Sequence, residues 1–422
     1  MKGIRCISTF FIFLVLPLFA QIAEGHFKFL GCIIQSGTSV PRDFDLYWNQ
    51  VTPENAGKWG SVEGTRDQYR WTDLDRAYNY AKQKGFPFRF HVLVWGKQQP
   101  GWITSLDSAT QAAEVEEWIR LAGERYPEAD YVEAVNEPIP WASYDYYPSY
   151  YKALGGEGET GWDWVIWAFE RAREYFPYSK LLINEYNILG GAKSIQTYLR
   201  IINLLKERNL IDGICEQGHF LENVGPQTIK TRLDQLAQTG LPIQISEFDL
   251  NYADDAQQLT KYQQIFPVLW EHPAVEGITL WGYIEGQIWR TDAFLVRRNG
   301  TERPAMQWLK EYVKRTMAVK FSSSPPVVFS LSPNYPNPFN ASTRIEFQLN
   351  QSGEVLLEIC DVHGKGIVVL ENGLKHSGHY VVSWDGKDKK GNLVGSGVYV
   401  VRLQVKGGFG IFTETRKITL LK

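Results

Sequence analysis

Short apolar runs alternate with longer amphipathic stretches along the chain from about Phe27 to Met317. Short runs bounded by turn residues indicate buried strands, whereas apolar residues spaced three and four positions apart indicate helices. The predicted strands are FLGCII at 29, WNQVTPEN at 48, FRFHVLVW at 88, YVEAVNE at 131, LLINEY at 181, GICEQGHF at 213, IQISEFDL at 243 and GITLWGY at 277. The predicted helices include LDRAYNYAKQKG, AAEVEEWIRLAGERY, VIWAFERAREYF, IQTYLRIINLLKERN and TIKTRLDQLAQTG. Eight strands with intervening helices predict an α/β fold, a (β/α)8 (TIM) barrel over residues 27–317.

The pattern changes after this region. The Ser/Pro-rich stretch FSSSPPVVF predicts a linker at residues 318–329. Beyond it, alternating apolar and polar positions in STRIEFQL, VLLEIC, HYVVSW, VYVVRLQV and TRKITLL are separated by Gly, Asn and Asp turns. Residues 330–422 are therefore predicted to form a small antiparallel, immunoglobulin-like β-sandwich.

The first twenty residues have the layout of a signal peptide. Lys2 and Arg5 precede the apolar run FFIFLVLPLFA, and Ala20 is a small residue suited to cleavage. We therefore expect a secreted or cell-surface protein. The apolar run is too short to span a bilayer, and since no other stretch of about 18 apolar residues occurs, we predict no transmembrane segment.

Composition narrows the classes of function. With a formal net charge of -3, the chain lacks the basic excess that nucleic-acid binding requires. Aromatic residues make up 14% of the chain, and their flat faces suit the apolar patches of sugar rings. Cys6 lies in the predicted signal peptide, and the other three cysteines are widely spaced, which supports neither a disulfide framework nor a zinc site. The lysines of the loop DGKDKKG oppose a calcium ion, so we predict no metal and no cofactor.

Polar and aromatic residues stand at the carboxyl ends of the predicted strands, where the active sites of such barrels lie. They are Glu54, Asn55, Lys58, His91, Trp95, Gln98, Asn136, Glu137, Glu185, Tyr186, Gln217, His219, Glu247, Asp249, Trp281 and Trp289. Cleavage of a glycosidic bond requires two facing carboxyl groups, because the leaving oxygen needs a proton and the sugar cation needs a partner. Glu137 and Glu247 are the predicted pair.

The motifs VTPENAGKW, HVLVWGKQQPGW, VEAVNEP, LLINEYN, EQGH, ISEFDL and LWGY occur in this order. Their order and spacing resemble those of the glycoside hydrolase family 10 endo-xylanases, and the resemblance covers almost all of residues 27–317. It implies a secreted endo-1,4-β-xylanase that hydrolyses internal β-1,4-xylosidic bonds by a retaining double displacement. The implied partners are xylan and xylo-oligosaccharides.

The resemblance also implies roles for individual residues. Glu137 would be the acid/base and Glu247 the nucleophile, with His219 bonded to Glu247 and Asp249 holding His219. The implied substrate-binding residues are Glu54, Asn55, Lys58, His91, Trp95, Gln98, Asn136, Tyr186, Trp281 and Trp289, of which Asn136 would contact the sugar 2-hydroxyl. The chain departs from the usual family pattern at Gly96, at Glu185 and in WGYIEGQIW.

The segments SPNYPNPFNASTRIEFQL, SWDGKDKKGN, SGVYVVRL and KITLLK resemble the C-terminal sorting domain of type IX secretion, which is related to a flagellar-hook-type immunoglobulin-like module. The type IX secretion machinery is then an implied partner. Alternatively, the sandwich binds polysaccharide, although Trp384 is its single tryptophan.

Two other functions compete with the xylanase hypothesis. A related barrel glycosidase would act on β-glucans, provided that a hydroxymethyl-bearing sugar fits against Trp281 and Trp289. A surface polysaccharide-binding protein would have the same barrel without turnover. The presence of both Glu137 and Glu247 argues against that last hypothesis.

Overall fold

The computed structural model describes residues 21–26, 28–140, 147–322, 329–349, 353–361, 364–376, 378–407 and 410–421. The predicted signal peptide lies outside these residues. The chain divides into two compact units, which separate between Glu311 and Tyr312, and the short segment Gly25–Phe27 groups with the second unit. Within the described ranges, no helix is both long enough and apolar enough to cross a membrane.

Parallel strands form the centre of the first unit. Its described residues contain β1 (Phe29–Ile34), β2 (Val51–Pro53), β3 (Arg89–Phe90), β4 (Tyr131–Asn136), β5 (Lys180–Glu185), β6 (Gly213–Glu216), β7 (Ile243–Phe248) and β8 (Val275–Leu280). They pair in the order β2-β1-β8-β7-β6-β5-β4-β3. A parallel bridge between Val51 and Phe88 joins the two ends of this order. The ring is closed, and the predicted (β/α)8 barrel is confirmed.

Helices connect the strands. Among the described residues they are α1 (Phe44–Tyr47), α2 (Trp59–Val62), α3 (Thr72–Lys84), α4 (Ser108–Arg125), α5 (Asp163–Tyr175), α6 (Ile195–Lys206), α7 (Pro226–Ala237), α8 (Asp255–Glu271) and α9 (Pro304–Ser322), with a 3-10 turn at Gly101–Ser105. Side-chain caps start several of them: Asp107 accepts the Thr110 N–H at 3.0 Å, and Asp254 accepts the Gln257 N–H at 2.8 Å. Because α9 continues to Ser322, the first part of the predicted linker is helical, while residues 323–328 lie outside the described residues.

Several strands are shorter than the apolar runs that predicted them. The run at 88–95 contributes only Arg89–Phe90 to the regular ladder. Beyond it the chain still follows β4, since the Leu93 N–H donates to the Glu133 carbonyl at 3.0 Å and the Val94 N–H to that of Ala134 at 3.1 Å. The apolar residues past the ladder therefore stay buried and carry the chain towards the mouth of the barrel.

The second unit is built from antiparallel strands. Its described residues contain β9 (Phe329–Leu331), β10 (Thr343–Leu349), β11 (Gly353–Cys360), β12 (Gly366–Lys375), β13 (Gly378–Trp384), β14 (Gly397–Gly407) and β15 (Gly410–Leu420). They form two sheets, ordered β13-β10-β9 and β12-β11-β14-β15. The predicted sandwich is confirmed. The sequence analysis missed β9 and β12, and β12 lacks a buried face because every one of its residues is at least partly exposed.

Trp384 belongs to the hydrophobic core that residues of both sheets form. It is 1% exposed, and its ring centroid lies 5.5 Å from that of Phe339 and 5.3 Å from that of Tyr399. Its indole Nε1 donates to the Lys387 carbonyl at 2.9 Å, so the ring's polar edge is satisfied while its faces are packed.

The acidic loop after β13 is stabilised by its own donors. Asp388 Oδ1 accepts the N–H groups of Lys390 at 2.8 Å and Asn392 at 2.9 Å. Lys387 Nζ lies 2.5 Å from Asp385 Oδ2.

Cys32, Cys215 and Cys360 are buried free thiols in their respective units.

We expect Trp384→Ala to lower the free energy of unfolding of the sandwich by about 3–5 kcal/mol, the cost of emptying a buried tryptophan site. Hydrogen exchange of the β10 amides, followed by mass spectrometry on the full chain, measures this loss. The control is Val381→Ala, because Val381 is 45% exposed on β13. Equal loss of protection in both variants would contradict the central role of Trp384.

Candidate active site

Glu247 lies in β7 with its side chain buried in the mouth of the barrel, and the residue is 5% exposed. Asn184 Nδ2 donates to Oε1 at 2.8 Å, and His219 Nε2 lies 3.2 Å from Oε2. The Glu247 N–H donates to the Gln217 carbonyl at 2.7 Å. Both carboxylate oxygens therefore have nitrogen partners, which fixes the orientation of the carboxyl group.

The surrounding charges keep Glu247 ionised. Burial on its own would raise the pKa of Glu247, but the hydrogen bond from His219 and the positive charges of His91, His219 and Lys58 outweigh it and lower the pKa to about 2. Burial would likewise lower the pKa of His219. Asp249 Oδ2, 3.0 Å from Nδ1, and Glu247 reverse this effect and raise the pKa to about 10. At neutral pH the two groups form a carboxylate–imidazolium pair.

Asp249 is held from its other side by residues of the loop after β8. Trp289 Nε1 donates to Oδ2 at 2.8 Å, and Arg290 Nη1 donates to Oδ1 at 2.7 Å. Arg290 Nη1 also lies 2.7 Å from a Glu222 oxygen. The Trp289 ring is 49% exposed, and its centroid lies 4.8 Å from that of His219. One loop thus fixes the partner of His219 and presents an aromatic face beside it.

Glu137 follows β4 directly and is 8% exposed. Its backbone has φ 52°, a left-handed conformation that is uncommon outside glycine. Its N–H donates to the Asn184 carbonyl at 2.8 Å, and Gln217 Nε2 donates to its Oε1 at 3.0 Å. The same Gln217 nitrogen lies 3.3 Å from Asn136 Oδ1. Asn184 and Gln217 therefore each contact both Glu137 and Glu247.

A second buried carboxylate lies beneath Glu247. Glu133 Oε2 accepts from His91 Nδ1 at 2.7 Å and from Asn184 Nδ2 at 3.1 Å, and Arg89 Nε lies 3.0 Å from Oε1. The ligand atoms of His91, Glu133 and Glu247 lie within 4.8 Å of one another, close enough for a metal ion. Imidazole and amide nitrogens hydrogen-bond to the oxygens of this cluster except Glu133 Oε1, which is ion-paired with Arg89 Nε without the geometry of a hydrogen bond. That the site needs no metal stays a prediction.

The predicted sugar-binding residues after β2 and β3 form one connected group. Lys58 Nζ donates to Asn55 Oδ1 at 2.8 Å and to Gln98 Oε1 at 2.7 Å, and it lies 4.9 Å from the Trp95 ring centroid. Burial lowers the pKa of Lys58, although the nearby carboxylates oppose this effect. Burial raises the pKa of Glu54, with Lys58 acting in the opposite direction.

The remaining predicted site residues border the carboxylate pair. The Trp281 ring is buried, with its centroid 5.1 Å from that of His91 and 6.4 Å from that of His219. Tyr186 follows β5 and is half-buried, with Lys193 Nζ 4.0 Å from its ring centroid. The structure thus places the predicted residues around the carboxyl ends of the strands. Their individual roles remain predictions.

The sequence analysis missed several residues of this site: Arg89, Glu133, Asn184, Lys193, Glu222 and Arg290. Asn184 precedes Glu185 just as Asn136 precedes Glu137, and this repeated Asn-Glu pair at the ends of β4 and β5 is a signal that could have identified it. Arg290 directly follows Trp289, and a charged residue beside an aromatic in a strand-end loop is a weaker signal.

A closed (β/α)8 barrel with two buried glutamates at its strand ends has the architecture and the carboxyl pair that a barrel glycoside hydrolase requires. Residues 19–312 match the sequence profile described as "Glycosyl hydrolase family 10", and the chain belongs to this family. Residues 334–408 match the profile of the FlgD Ig-like domain, in agreement with the sandwich.

Comparison with individual proteins agrees with this assignment. The chain is 42% identical over 284 residues to endo-1,4-beta-xylanase B of Cellvibrio japonicus, a match that covers 67% of this chain and 45% of that protein. It is 29% identical over 260 residues to anti-sigma-I factor RsgI6 of Acetivibrio thermocellus, covering 60% of this chain and 32% of that protein. The chain thus spans less than half of either relative. The native xylanase 10B from Thermotoga maritima superposes with a TM-score of 0.62 at 25% identity, covering 71% of this chain and 98% of that structure.

We expect His219→Gln to raise the pKa of Glu247 by about one unit or more, because burial would then act without the imidazolium that opposes it. The measurement is a pH titration of 13C-labelled glutamate carboxyl groups by NMR. The variant should show a carboxyl that takes up its proton at higher pH than in the wild type.

The control for this titration is His272→Gln, since His272 is also buried beside an aspartate, with Nε2 3.2 Å from Asp234 Oδ1, but precedes β8 at its amino end. It should leave the Glu247 titration in place. An unchanged titration in His219→Gln would show that the low pKa of Glu247 has another cause.

Proposed function

We propose that this protein is a secreted endo-1,4-β-xylanase that cleaves internal β-1,4-xylosidic bonds of xylan by a retaining double displacement. The observation that carries the proposal is the pair of buried carboxyl groups. His219 keeps Glu247 ionised, and Asn184 and Gln217 each form hydrogen bonds to both Glu137 and Glu247. The 42% identity to a protein named endo-1,4-beta-xylanase B supports xylan as the substrate class.

The two carboxyl groups suit complementary roles in the reaction. Ionised Glu247 attacks the anomeric carbon and forms a glycosyl ester, while Glu137 gives its proton to the departing oxygen. Glu137 then accepts a proton from the water that hydrolyses the ester. Asn136 is buried, and its Oδ1 lies 3.3 Å from Gln217 Nε2. We propose that Asn136 donates a hydrogen bond to the sugar 2-hydroxyl.

The sugar before the cleaved bond would lie between two groups of residues. Lys58, Asn55 and Gln98 offer linked polar atoms on one side, where they can bind hydroxyl groups. Trp289 and Trp281 offer aromatic faces on the other, where they can pack on the apolar faces of the rings.

A non-catalytic carbohydrate-binding role is the second candidate. One relative is named as an anti-sigma-I factor, so membership of the family does not by itself imply turnover as the protein's main role. The two candidates differ in whether the carboxyl pair converts a bound oligosaccharide into products.

We further propose that residues 1–20 direct export and that residues 330–422 act as a sorting domain for type IX secretion. The basic start and apolar run support the first part, and the tail motifs together with the Ig-like match at 334–408 support the second. Deleting residues 330–422 should leave the barrel inside the outer membrane, as judged by fractionation of a host that has this secretion system.

The decisive experiment follows the anomeric protons of the earliest products by NMR during cleavage of a xylo-oligomer. A retaining endo-xylanase gives β-anomers first, from internal bonds. A parallel reaction with a cello-oligomer tests the β-glucan alternative, which predicts the faster rate there. Broadening of the xylo-oligomer signals without any product would favour the binding role.

Glu247→Gln should abolish turnover while leaving xylo-oligomer binding intact, since the amide keeps the shape of the side chain but cannot attack the anomeric carbon. Calorimetric titration measures binding, and reducing-sugar release measures turnover. Glu170→Gln, on the exposed face of α5, is the matched control and should retain both. Near-normal turnover in Glu247→Gln would remove this residue from the nucleophile role.

Glu137→Ala should slow hydrolysis of xylan by about 10²-fold or more, within the range for loss of a general acid. An aryl xylobioside with an acidic leaving group needs no proton at the departing oxygen, so its glycosylation rate should change far less. Rates on the two substrates, measured as kcat/KM, test this difference. Equal losses on both would contradict the acid role.

A further inference from the structure

A buried ion pair lies beside Glu137 and takes no part in the chemistry described above. Glu185 ends β5, and Lys193 Nζ lies 2.7 Å from its Oε1. Both side chains are almost fully buried, at 0% and 2% exposure. Because desolvation offsets much of the attraction in a buried pair, stability alone is a weak reason to place one here. Its contacts indicate what else it does.

The pair holds both backbone polar groups of Ile139. The Ile139 N–H donates to Glu185 Oε2 at 3.0 Å, and the Ile139 carbonyl accepts from Lys193 Nζ at 2.7 Å. Ile139 is itself buried and lies two residues after Glu137. The carboxyl group of Glu185 thus accepts from the N–H of Ile139, and the ammonium group of Lys193 donates to its carbonyl, so the pair fixes this residue through both of its backbone groups.

This segment needs such an anchor because of its backbone conformation. Glu137 has φ 52°, a left-handed conformation that costs roughly 1 kcal/mol or more for a residue with a Cβ and persists where the surroundings fix it. The Glu137 N–H is tied to the Asn184 carbonyl at 2.8 Å. With Ile139 tied to Glu185, the turn after β4 is fastened to the end of β5 at two successive points.

The same pair contacts Tyr186, a predicted sugar-binding residue. The Tyr186 N–H donates to Glu185 Oε1 at 2.9 Å, and Lys193 Nζ lies 4.0 Å from the centroid of the Tyr186 ring. The side of the site that carries Glu137 and Tyr186 is therefore organised around one ion pair. Glu247 is held by different residues, Asn184 and His219.

We propose that the Glu185–Lys193 ion pair is a positioning unit for acid catalysis, which, by anchoring Ile139, holds the Glu137 carboxyl where it can protonate the departing oxygen. This inference rests on the proposed glycosidase function and deepens it. Because the Glu247 carboxyl is held by Asn184 and His219, loss of the pair should weaken proton transfer and leave nucleophilic attack largely intact.

The test compares two substrates that differ in their need for a proton. Phenyl β-xylobioside has a poor leaving group and requires acid catalysis, whereas 2,4-dinitrophenyl β-xylobioside does not. For the full-length Glu185→Gln and Lys193→Met variants we expect kcat/KM on the phenyl substrate to fall by about tenfold or more, since small displacements of a catalytic group are costly. On the dinitrophenyl substrate kcat/KM should stay within about threefold of the wild type.

A second variant and a control complete the design. Each single change leaves a buried charge without its partner, which threatens folding, so the double variant Glu185→Gln/Lys193→Met is measured as well. Asp212→Asn is the control. Asp212 pairs with Arg173 and accepts the Leu181 N–H at 2.8 Å, and it precedes β6 at its amino end, away from the site. This control should lose stability without changing the ratio of the two rates.

A selective loss on the phenyl substrate in the double variant supports the proposal. A parallel loss on both substrates would overturn it, because the pair would then support the whole site and not the acid. An unchanged rate on both would overturn it too. If the wild-type protein cleaves neither xylobioside, the proposed function itself fails, and that outcome is distinct from either result in the variants.

Discussion

The negative charge of the buried Glu247 side chain is the constraint on which the rest of the site depends. An ionised carboxylate buried without partners is prohibitively costly, so the protein must surround it with positive charge. His219 supplies that charge, but a buried imidazolium needs its own counter-ion, which is Asp249. Asp249 in turn contacts Arg290, which is partly exposed and also pairs with Glu222. Charges of alternating sign thus lead from the nucleophile to the surface, each reducing the cost of the one before it.

The closed barrel turns this electrostatic requirement into a fixed geometry. In the parallel ladder Asn136 pairs with Asn184, and Asn184 pairs with Cys215, so the residues that follow them leave neighbouring strands at the same level. The side chains of Asn184 and Gln217 can therefore donate to the carboxyl groups of Glu247 and Glu137 respectively, while their backbone carbonyls accept the N–H groups of Glu137 and Glu247. Since a slip of one residue in register would turn these side chains to the other face of the sheet, the same ladder that builds the core also aligns the carboxyl pair.

The strands, helices and site residues that could be predicted from the sequence either follow a regular apolar pattern or interrupt such a pattern near the end of a strand. Buried parallel strands are apolar throughout, and Glu247 is conspicuous because it interrupts such a run. Asn184 is just as buried and, like Glu247, stands one position before the end of its strand, but it carries no charge, and periodicity does not separate an inward-facing functional amide from a structural one. Arg290 was identified as a site residue only from its contact with Asp249 in the structure. The strand β12 was missed for the opposite reason: it is partly exposed on both faces, so it has no alternation to detect.

Glu137, Glu185 and Glu247 are three buried carboxyl groups at the carboxyl ends of β4, β5 and β7, and their partners differ in kind. Glu247 faces the His219 imidazolium and Glu185 faces the Lys193 ammonium, so each of these has a full positive charge in direct contact. Glu137 receives its hydrogen bond from the neutral amide of Gln217. A cation stabilises the ionised form of a carboxyl much more than an amide does, and nearby carboxylates act against a further negative charge. Glu185 and Glu247 still differ, since burial raises the pKa of Glu185 to about 8 in spite of the Lys193 ammonium, whereas the contacts of Glu247 lower its pKa to about 2. The three side chains are chemically identical, so these differences come from the groups that surround each of them.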